Sequence, residues 1–222
     1  MPTEARRRSG ADGLFIVGLV GQAGSGKSTV ARALERDGAV LIDADRLGHE
    51  VVQDDPRVRA ALSAEYGADV YGPAGLDRRR VAAVVFRDAA ARERLNRLVH
   101  PGILERIRAR LDTLRAQGHR GVVVVDAALL LDWGFERECD AVFAVIAPRA
   151  AQLERLGAQR GWSVEDAERV LDVQRPVAAL SAAADATLDN DGRPEDLERA
   201  AREALRRLRA DPQAKGHDST PC

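Results

Sequence analysis

The segment from Gly21 to Thr29 has the residue types and the spacing that bind phosphate. It reads Gly-Gln-Ala-Gly-Ser-Gly-Lys-Ser-Thr, which matches the P-loop pattern of a glycine, four residues and Gly-Lys-Ser/Thr. Glycines let consecutive backbone N–H groups turn toward an anion, and the positive end of the following helix adds to the attraction. The pattern therefore predicts a site for a nucleoside triphosphate and Mg²⁺, formed by Gly24, Ser25, Gly26, Lys27, Ser28 and Thr29.

Within this loop, Lys27 and Ser28 have the most specific expected roles. Only two of the 34 Lys and Arg residues are lysines, Lys27 and Lys215. A compact ammonium fits between phosphate oxygens, whereas a guanidinium is larger and forked. We expect Lys27 to reach the terminal phosphates as a catalytic cation and Ser28 to offer its hydroxyl to Mg²⁺. The alternative is a glycine turn that carries a lysine by chance.

Carboxylates follow two of the apolar segments. In Ile42-Asp43-Ala44-Asp45, one Asp could accept or orient the proton of an attacking hydroxyl, and the other could hold Mg²⁺-bound water. The residues alone leave open which Asp has which role, and Asp43 is a candidate for the Mg²⁺ shell. The alternative is a strand-terminal Asp that caps the next helix. Asp126 ends Val122-Val123-Val124-Val125-Asp126 and is equally compatible with water-mediated Mg²⁺ binding and with capping of the strand.

These residues need a scaffold, and five short apolar runs alternating with helical stretches predict one. The alternation favours an α/β fold of the P-loop NTPase type, with three layers and a five-stranded parallel sheet. The predicted strands are Leu14–Val20, Val40–Asp43, Val122–Asp126, Ala141–Ile146 and Thr187–Leu188. The last helix is expected to begin near Pro194.

Two gaps between the strands are longer than a crossover needs. We expect a single domain over residues 14–205 with a helical insertion and a lid, flanked by disordered tails at 1–13 and 211–222. Within the insertion, Pro101 is one of several residues expected to interrupt helices. The predicted parts are a core of 14–45, 121–147 and 184–210, an insertion of 46–120 for the acceptor, and a lid of 148–183.

Composition limits the partners. The formal net charge of −1 gives no general attraction to nucleic acid or to an anionic membrane. No apolar run approaches the length of a membrane span, and the basic start lacks the apolar core of a signal peptide. Cys139 and Cys222 form neither a metal-ligand spacing nor a disulfide framework. We predict a cytoplasmic protein without nucleic-acid or membrane partners, either a monomer or a weak homo-oligomer.

Other classes of P-loop protein fit less well. A GTPase needs an Asn-Lys-x-Asp element, and neither lysine lies in one. A motor ATPase often has Glu after the strand-terminal Asp, and here Ala127 follows Asp126. The sequence therefore favours a small-molecule kinase.

Several motifs in a fixed order resemble the dephospho-CoA kinase family from about Phe15 to Leu205. The P-loop is generic, but the joint order of an Asp-x-Asp element, a His-Pro pair, a Leu-Leu segment and Asp-Asn-x-Gly is specific. The matching segments are Ile42–Asp45 with Val51-Val52, Leu76-Asp77-Arg78 with Val85-Phe86, Leu95-Asn96 with Val99-His100-Pro101, Asp126–Asp132, Gln152–Leu156 with Gln174, and Ala184-Asp185 with Leu188-Asp189-Asn190 and Gly192.

The resemblance implies ATP-dependent phosphorylation of the ribose 3′-hydroxyl of dephospho-CoA. Asp45 would be the base or orienting group, and Arg155 in the lid would stabilise the transferring phosphoryl group. Arg78 and His100 would contact the acceptor, and Asn190 would approach the adenine of ATP. Alternatively, His100 only fixes a turn before Pro101, and Arg78 belongs to a solvated face. Asp185 and Asp189 are expected to be turn and cap residues.

The sequence also departs from the family pattern. Ala128 replaces a Pro, and Leu131-Asp132 replaces Phe-Glu. In the lid, Gln159-Arg160-Gly161 replaces Arg-Asp-Gly, which turns the cation by about 100° on a helix, and Leu180 stands where a Lys or Arg is common. Two further hypotheses therefore stay open: a kinase for another nucleotide or nucleoside, and an ATP-binding regulatory module without catalysis.

Overall fold

The structure is a computed structural model that describes residues 13–85 and 88–210. Phe86, Lys215, Cys222 and the expected tails, apart from Gly13, lie outside the described residues. The elements are β1 Leu14–Val20, α1 Lys27–Arg36, β2 Val40–Asp43, α2 Ala44–Asp54, α3 Pro56–Tyr66, β3 Tyr71–Gly72, β4 Gly75–Leu76, α4 Arg78–Val85, α5 Ala89–Ala116, β5 Gly121–Asp126, β6 Ala141–Ile146, α6 Arg149–Arg160, α7 Val164–Val173, α8 Val177–Ala183, β7 Ala186–Asp189 and α9 Pro194–Ala210, with short 3₁₀ helices at Ala68–Val70 and Phe135–Glu138.

A five-stranded sheet organises the fold in the order β2-β5-β1-β6-β7. Strand β1 pairs in parallel with β5 and β6, and β6 pairs in parallel with β7. The predicted α/β class is confirmed. Three predicted strands have the observed bounds, β5 begins one residue earlier at Gly121, and β7 extends by one residue at each end.

One face of the sheet packs on α1 and α9. Val17 and Leu19 of β1 share a buried cluster with Leu34 of α1 and with Leu197 and Ala201 of α9. Alternate residues of a strand point to the same face, so one strand supplies both contacts. Burying each such Leu or Val stabilises the fold by about 1.5–3 kcal/mol relative to exposure.

The other face of β1 is covered by the segment between β5 and β6. A Cβ at Gly18 would lie 2.8 Å from Cδ1 of Leu130 and 3.0 Å from Sγ of Cys139, so only glycine fits without a shift of its neighbours. Leu130 and Cys139 are themselves fully buried. This close approach holds the chain that follows β5 against the strand that leads into the P-loop.

Asp140 and Asp185, which directly precede β6 and β7, each form two hydrogen bonds with one residue of the neighbouring strand. The Asp140 carboxylate accepts from the Ile16 N–H (2.7 Å), and the Asp140 N–H donates to the Ile16 carbonyl (2.8 Å). Asp185 makes the equivalent pair with Val142, at 2.8 Å for both bonds. Asp185, expected to be a turn or cap residue, lies in the bend before β7, and its side chain satisfies a backbone donor of the adjoining strand.

The helices between β6 and β7 have a small core of their own. Leu156 of α6 packs with Ala167 and Leu171 of α7, and all three are buried. Helix α6 ends at Gly161, whose φ of 65° lies in the left-handed region that favours glycine. Helix α7 begins at Ser163, whose Oγ accepts from the Asp166 N–H at 3.1 Å.

The chain divides into two compact units, one formed by the segments up to Ile42 and from Gln117, and the other by residues 43–116. The second unit is mainly helical. A Cβ at Gly48 of α2 would lie 3.2 Å from Cδ1 of Ile103, and one at Gly102 would lie 3.0 Å from Cγ1 of Val51, so α2 and α5 pack closely.

Pro101 lies inside α5, which continues through it from Ala89 to Ala116. The expected interruption at Pro101, and with it a turn fixed by His100, is therefore wrong. Proline removes one backbone donor from the helix. Ile103, Ile107 and Leu111 are buried just after it, and their burial favours continuation of the helix. No described helix is long and apolar enough to span a membrane.

Candidate nucleotide-binding site

The P-loop connects the carboxyl end of β1 to the first turn of α1. Gly24 and Gly26 adopt φ of 72° and 104°, which is left-handed backbone that glycine adopts most readily. Helix α1 begins at Lys27, so the N–H groups of Lys27 and Ser28 have no acceptor one turn earlier in the helix. Among the described residues these two amides have no hydrogen-bond partner, and such amides at a helix N-terminus are suited to an anion.

Lys27 points back over the loop that precedes it. Its Nζ donates to the Gly21 carbonyl at 3.0 Å, and the side chain is only partly buried. The ammonium therefore lies beside the loop that the sequence predicts to bind phosphate. Ser28 is exposed and Thr29 is partly exposed in the first turn of α1.

Three consecutive carbonyls of the P-loop are hydrogen-bonded by side chains from other segments. Gln152 Nε2 donates to the Ala23 carbonyl at 3.0 Å, and Arg155 Nη1 donates to the Gly24 carbonyl at 3.2 Å. Asn190 Nδ2 donates to the Ser25 carbonyl at 2.7 Å. In an anion-binding nest the N–H groups converge on the ligand. External donors on the carbonyls therefore help to keep these peptides in that orientation.

Arg155 and Asn190, two of the predicted site residues, also contact each other. Arg155 Nη2 donates to both the backbone carbonyl and the side-chain Oδ1 of Asn190, each at 3.3 Å. Asn190 is buried, immediately after β7. A Cβ at Gly26 would collide with Nδ2 of Asn190, so the loop and this amide are closely packed. The structure thus brings the P-loop, the predicted lid cation and Asn190 together.

The Ser25 side chain is buried under the loop with 1% of its surface exposed. Its Oγ has no hydrogen-bond partner among the described residues. A Cβ at Gly21 would lie 2.6 Å from this oxygen and 2.5 Å from the Val145 carbonyl, so the first P-loop glycine leaves no room for a side chain. A buried unpaired hydroxyl carries a desolvation cost that a polar ligand or water can relieve.

Asp126 ends β5 opposite Leu19 of β1, in the strand next to the one that leads into the P-loop. Among the described residues, no group of three or more His, Cys, Asp or Glu side chains could hold a metal ion alone. Mg²⁺ in kinases is usually held by one or two protein groups together with phosphates and water. An exposed Ser28 hydroxyl at the start of α1 fits that kind of site.

Four further predicted site residues lie in the second compact unit. Asp43 is the N-cap of α2, where its Oδ1 accepts from the Arg46 N–H at 3.0 Å, as the capping alternative expected. Asp45 is exposed in the first turn of α2, and no hydrogen bond ties its carboxylate to another described residue. Arg78 is exposed at the start of α4, and His100 is partly buried in α5.

The residues that depart from the family pattern have local partners. The Arg160 guanidinium lies 5.1 Å from the ring centroid of Trp162. Leu180 is buried with 3% exposed, so it is part of the packing of α8. Arg175 forms an ion pair with Asp132 at 2.6 Å. The Arg175–Asp132 pair was not evident from the sequence, because it joins residues 43 positions apart.

Two glutamines that had no assigned role also contact the loop. Gln152 is buried, and its amide nitrogen contacts Ala23. Gln174 ends α7, and its Oε1 accepts from the Ala23 N–H at 2.9 Å. Their positions in the lid motif were the only available signal, since glutamine spacing does not identify which backbone group it meets.

A parallel sheet whose central strand leads into a glycine-rich loop and a helix N-terminus defines a P-loop nucleotide-binding protein of the α/β class. Residues 15–196 match the family model described as dephospho-CoA kinase. The chain belongs to the dephospho-CoA kinase family, whose reaction is the ATP-dependent phosphorylation of dephospho-CoA.

Relatives of known name and known structure agree with this assignment. The chain is 40% identical to the dephospho-CoA kinase of Geobacter sulfurreducens over 83% of this chain and 93% of the relative. It resembles the crystal structure of TT1252 from Thermus thermophilus with a TM-score of 0.72 and 30% identity, over 87% of this chain and 97% of that chain. The dephospho-CoA kinase from Campylobacter jejuni has the same fold, with a TM-score of 0.60, 19% identity and coverage of 88% and 97%.

Proposed function

We propose that this chain transfers the γ-phosphoryl group of ATP to the ribose 3′-hydroxyl of dephospho-CoA, giving coenzyme A and ADP. The observation that supports it most strongly is the P-loop, in which three consecutive carbonyls are bound from outside. That arrangement favours amides that face a phosphate group. The class of acceptor rests on the family to which the chain belongs.

The P-loop residues would bind the triphosphate. Backbone N–H groups of the loop, above all those of Lys27 and Ser28, and the Lys27 ammonium would contact the β- and γ-phosphates, where charge develops during transfer. The N–H groups of Ser25 and Thr29 already donate to the Gln22 and Gly26 carbonyls. Arg155 would stabilise the transferring group. Its guanidinium donates to the Gly24 carbonyl and therefore lies at the loop that would hold the triphosphate.

Asp45 would accept or orient the proton of the 3′-hydroxyl. Its carboxylate is exposed and makes no hydrogen bond to another described residue, so its lone pairs are available to an incoming hydroxyl. Mg²⁺ would neutralise charge on the β- and γ-phosphates, held by Ser28 and by Asp43. Because Oδ1 of Asp43 caps α2, the other oxygen of that carboxylate is the one suited to metal-bound water.

The remaining proposals concern the acceptor, the lid, the adenine of ATP, and the location and oligomeric state of the enzyme. Arg78 and His100 would contact dephospho-CoA from the insertion of residues 46–120, and residues 148–183 would act as the lid. The chain at Asn190 would approach the adenine of ATP through its backbone, because its side chain is already bound to the loop. We expect a cytoplasmic monomer or weak homo-oligomer without nucleic-acid partners, in line with a net charge of −1.

The Asp45→Asn variant tests the proposed chemistry. If Asp45 acts mainly in the transition state, kcat should fall by about 10²–10⁴-fold while the Kd for ATP changes less than about twofold. Asp54→Asn makes the same change at the other end of α2 and should leave both quantities close to those of the unmodified chain. Coenzyme A formation is followed by chromatography and ATP binding by calorimetry. Normal turnover of Asp45→Asn would remove this residue from the mechanism.

A further inference from the structure

The P-loop residue Ala23 is held on both of its backbone polar groups by glutamines. Its carbonyl accepts from Gln152 Nε2 at 3.0 Å, and its N–H donates to Gln174 Oε1 at 2.9 Å. The two glutamines come from different places, Gln152 from within α6 and Gln174 from the end of α7. Ala23 itself belongs to the small apolar cluster around Leu156 and Leu171.

The chemistry of the contacts fixes the orientation of each amide. A carbonyl accepts only, so the group of Gln152 that faces the Ala23 oxygen is the NH₂ donor. A backbone N–H donates only, so the group of Gln174 that faces the Ala23 nitrogen is the carbonyl oxygen. The two side chains therefore have opposite roles at the same residue, one as a donor and the other as an acceptor.

Gln22, the residue before Ala23, makes two further hydrogen bonds to the same part of the chain. Its Oε1 accepts from Gln152 Nε2 at 3.4 Å, and its Nε2 donates to the Arg175 carbonyl at 3.2 Å. Helix α6 also approaches the loop closely, because a Cβ at Gly24 would lie 2.9 Å from the Gln152 carbonyl. Four side-chain hydrogen bonds at Gln22 and Ala23 thus join the loop to residues 152, 174 and 175.

Burial makes the Gln152 contact costly to break. Gln152 has 3% of its surface exposed, and a buried polar group that loses its partner keeps its full desolvation cost. The peptide planes on both sides of Ala23 precede the amides expected to bind phosphate. If those planes rotate, a carbonyl can turn toward the anion and repel it.

We propose that Gln152 and Gln174 are positioning residues that fix the peptides around Ala23 and thereby hold the P-loop in its ATP-binding conformation. Neither side chain needs to touch the nucleotide. The proposal rests on the proposed function only in taking ATP as the ligand of the loop, and it makes no use of the acceptor.

The opposite roles of the two glutamines allow a sharp test with neutral and acidic substitutions. Gln152→Met and Gln174→Met keep much of the side-chain length and remove the polar contact, so each should raise the Kd for ATP by about tenfold. Gln174→Glu restores an acceptor and should recover most of the affinity. Gln152→Glu places an acceptor against an acceptor and should bind ATP no better than Gln152→Met.

The measurement is calorimetric titration of the full chain with ATP. An ionic strength of about 0.5 M reduces the effect of the charge added at the partly exposed Gln174. Gln117→Glu is the matched control, because Gln117 is exposed in the turn after α5 and should bind ATP like the unmodified chain. The unfolding midpoint of every variant is measured to show that it is folded. Gln22→Met, at a partly exposed position, is a milder test, and its Kd for ATP should rise about threefold.

The outcomes separate the proposal from its alternatives. Unchanged ATP affinity in the Met variants would overturn it, as would recovery by Glu at both positions or at neither. If a Gln152 variant does not fold, unchanged affinity in Gln174→Met and Gln22→Met would still overturn it. An unmodified chain that binds ATP but forms no coenzyme A would refute the proposed function and leave this test intact.

Discussion

At the scale of single residues, the site depends on the direction in which peptide groups face. Gly24 illustrates this, since it combines a φ of 72° with a close approach to α6. Its carbonyl accepts from Arg155, and its Cα leaves no space for a side chain beside the Gln152 backbone. Backbone conformation and packing therefore require glycine here for separate reasons.

Replacing Gly24 with alanine should damage ATP binding more than a comparable change elsewhere. Gly24→Ala adds a methyl group 2.9 Å from a backbone oxygen and places a Cβ in left-handed backbone. We expect the Kd for ATP to rise at least about tenfold. Gly38→Ala is the matched control, because its φ is 94° and nothing lies within 4 Å of the added atom. Equal ATP affinity in the two variants would contradict this account of Gly24.

The phosphate-binding loop could be predicted because its residues are consecutive in the sequence. Its partners could not be predicted in the same way. Gln152 lies 129 residues from Ala23, and Asn190 lies 165 residues from Ser25. Which backbone group a distant amide meets depends on the relative placement of α6, β7 and the loop, and that placement is set by packing of the whole sheet layer.

At the scale of elements, α6 and α7 are held together by few residues. Leu156, Ala167 and Leu171 form the buried part of this cluster, with Ala23, Leu153 and Trp162 partly buried against it. A small core leaves little redundancy, so the loss of one side chain affects a large share of the contacts. Because Ala23 is one of its neighbours, the same cluster connects helix packing to the P-loop.

Leu171→Ala should destabilise the protein by about 2–5 kcal/mol, because it removes most of a buried side chain and leaves a cavity. Val173→Ala lies two residues away on the same helix, at a residue that is 65% exposed, and should change stability by less than about 0.5 kcal/mol. Chemical denaturation measures both changes. Similar values for the two variants would show that α7 does not depend on this cluster.

The strands were predictable because their apolar runs are short and have a glycine or a polar residue at one or both ends. Leu14–Val20 and Ala141–Ile146 have the bounds that their composition indicated. Helix α5 was not fully predictable, because Pro101 locally disfavours a helix that tertiary packing stabilises. Local preference and burial oppose each other at that residue, and the sequence alone does not show which one prevails.

At the scale of the whole molecule, ion pairs between arginines and carboxylates occur in both compact units. Arg57 holds the pKa of Asp55 below its ordinary value in the second unit. In the first unit, Arg199 lowers the pKa of Asp196 and Arg36 lowers the pKa of Glu198. The Glu198 pair connects α9 to α1 at 2.6 Å. Each pair joins an exposed arginine to a partly buried carboxylate, and protonation of any of these carboxylates weakens its pair.

The unfolding midpoint should therefore fall as the pH is lowered through the ordinary values of 3.8 for Asp and 4.5 for Glu. A carboxyl whose pKa is lower in the folded state contributes stability above its unfolded pKa and loses it as the pH falls through its folded pKa. Glu198→Gln should make the midpoint less dependent on pH in the acid range. Glu203→Gln, an exposed change on the same helix, is measured alongside as the control for the loss of one carboxylate. A steeper dependence in Glu198→Gln would contradict the sign of the effect.

The class of the molecule and its family could be predicted from the sequence, since motifs from the P-loop to Asp189-Asn190 occur in one order along the chain. The roles of Asp45, Arg78 and His100 stay predictions. Each is one polar residue on a helix of the second unit, and its chemistry depends on a substrate that it has to meet. For such residues the sequence identifies candidates, and their roles have to be tested by activity measurements with the substrate.

The most direct test of the account is the identity of the phosphorylated product. The chain is incubated with ATP, Mg²⁺ and dephospho-CoA, and ADP release is compared with the ³¹P NMR spectrum of the product. We predict one ADP for each new 3′-phosphomonoester, faster turnover with dephospho-CoA than with nucleosides or nucleoside monophosphates, and no product from Lys27→Ala. Faster phosphorylation of a nucleoside monophosphate, or ATP binding without transfer to any acceptor, would contradict it.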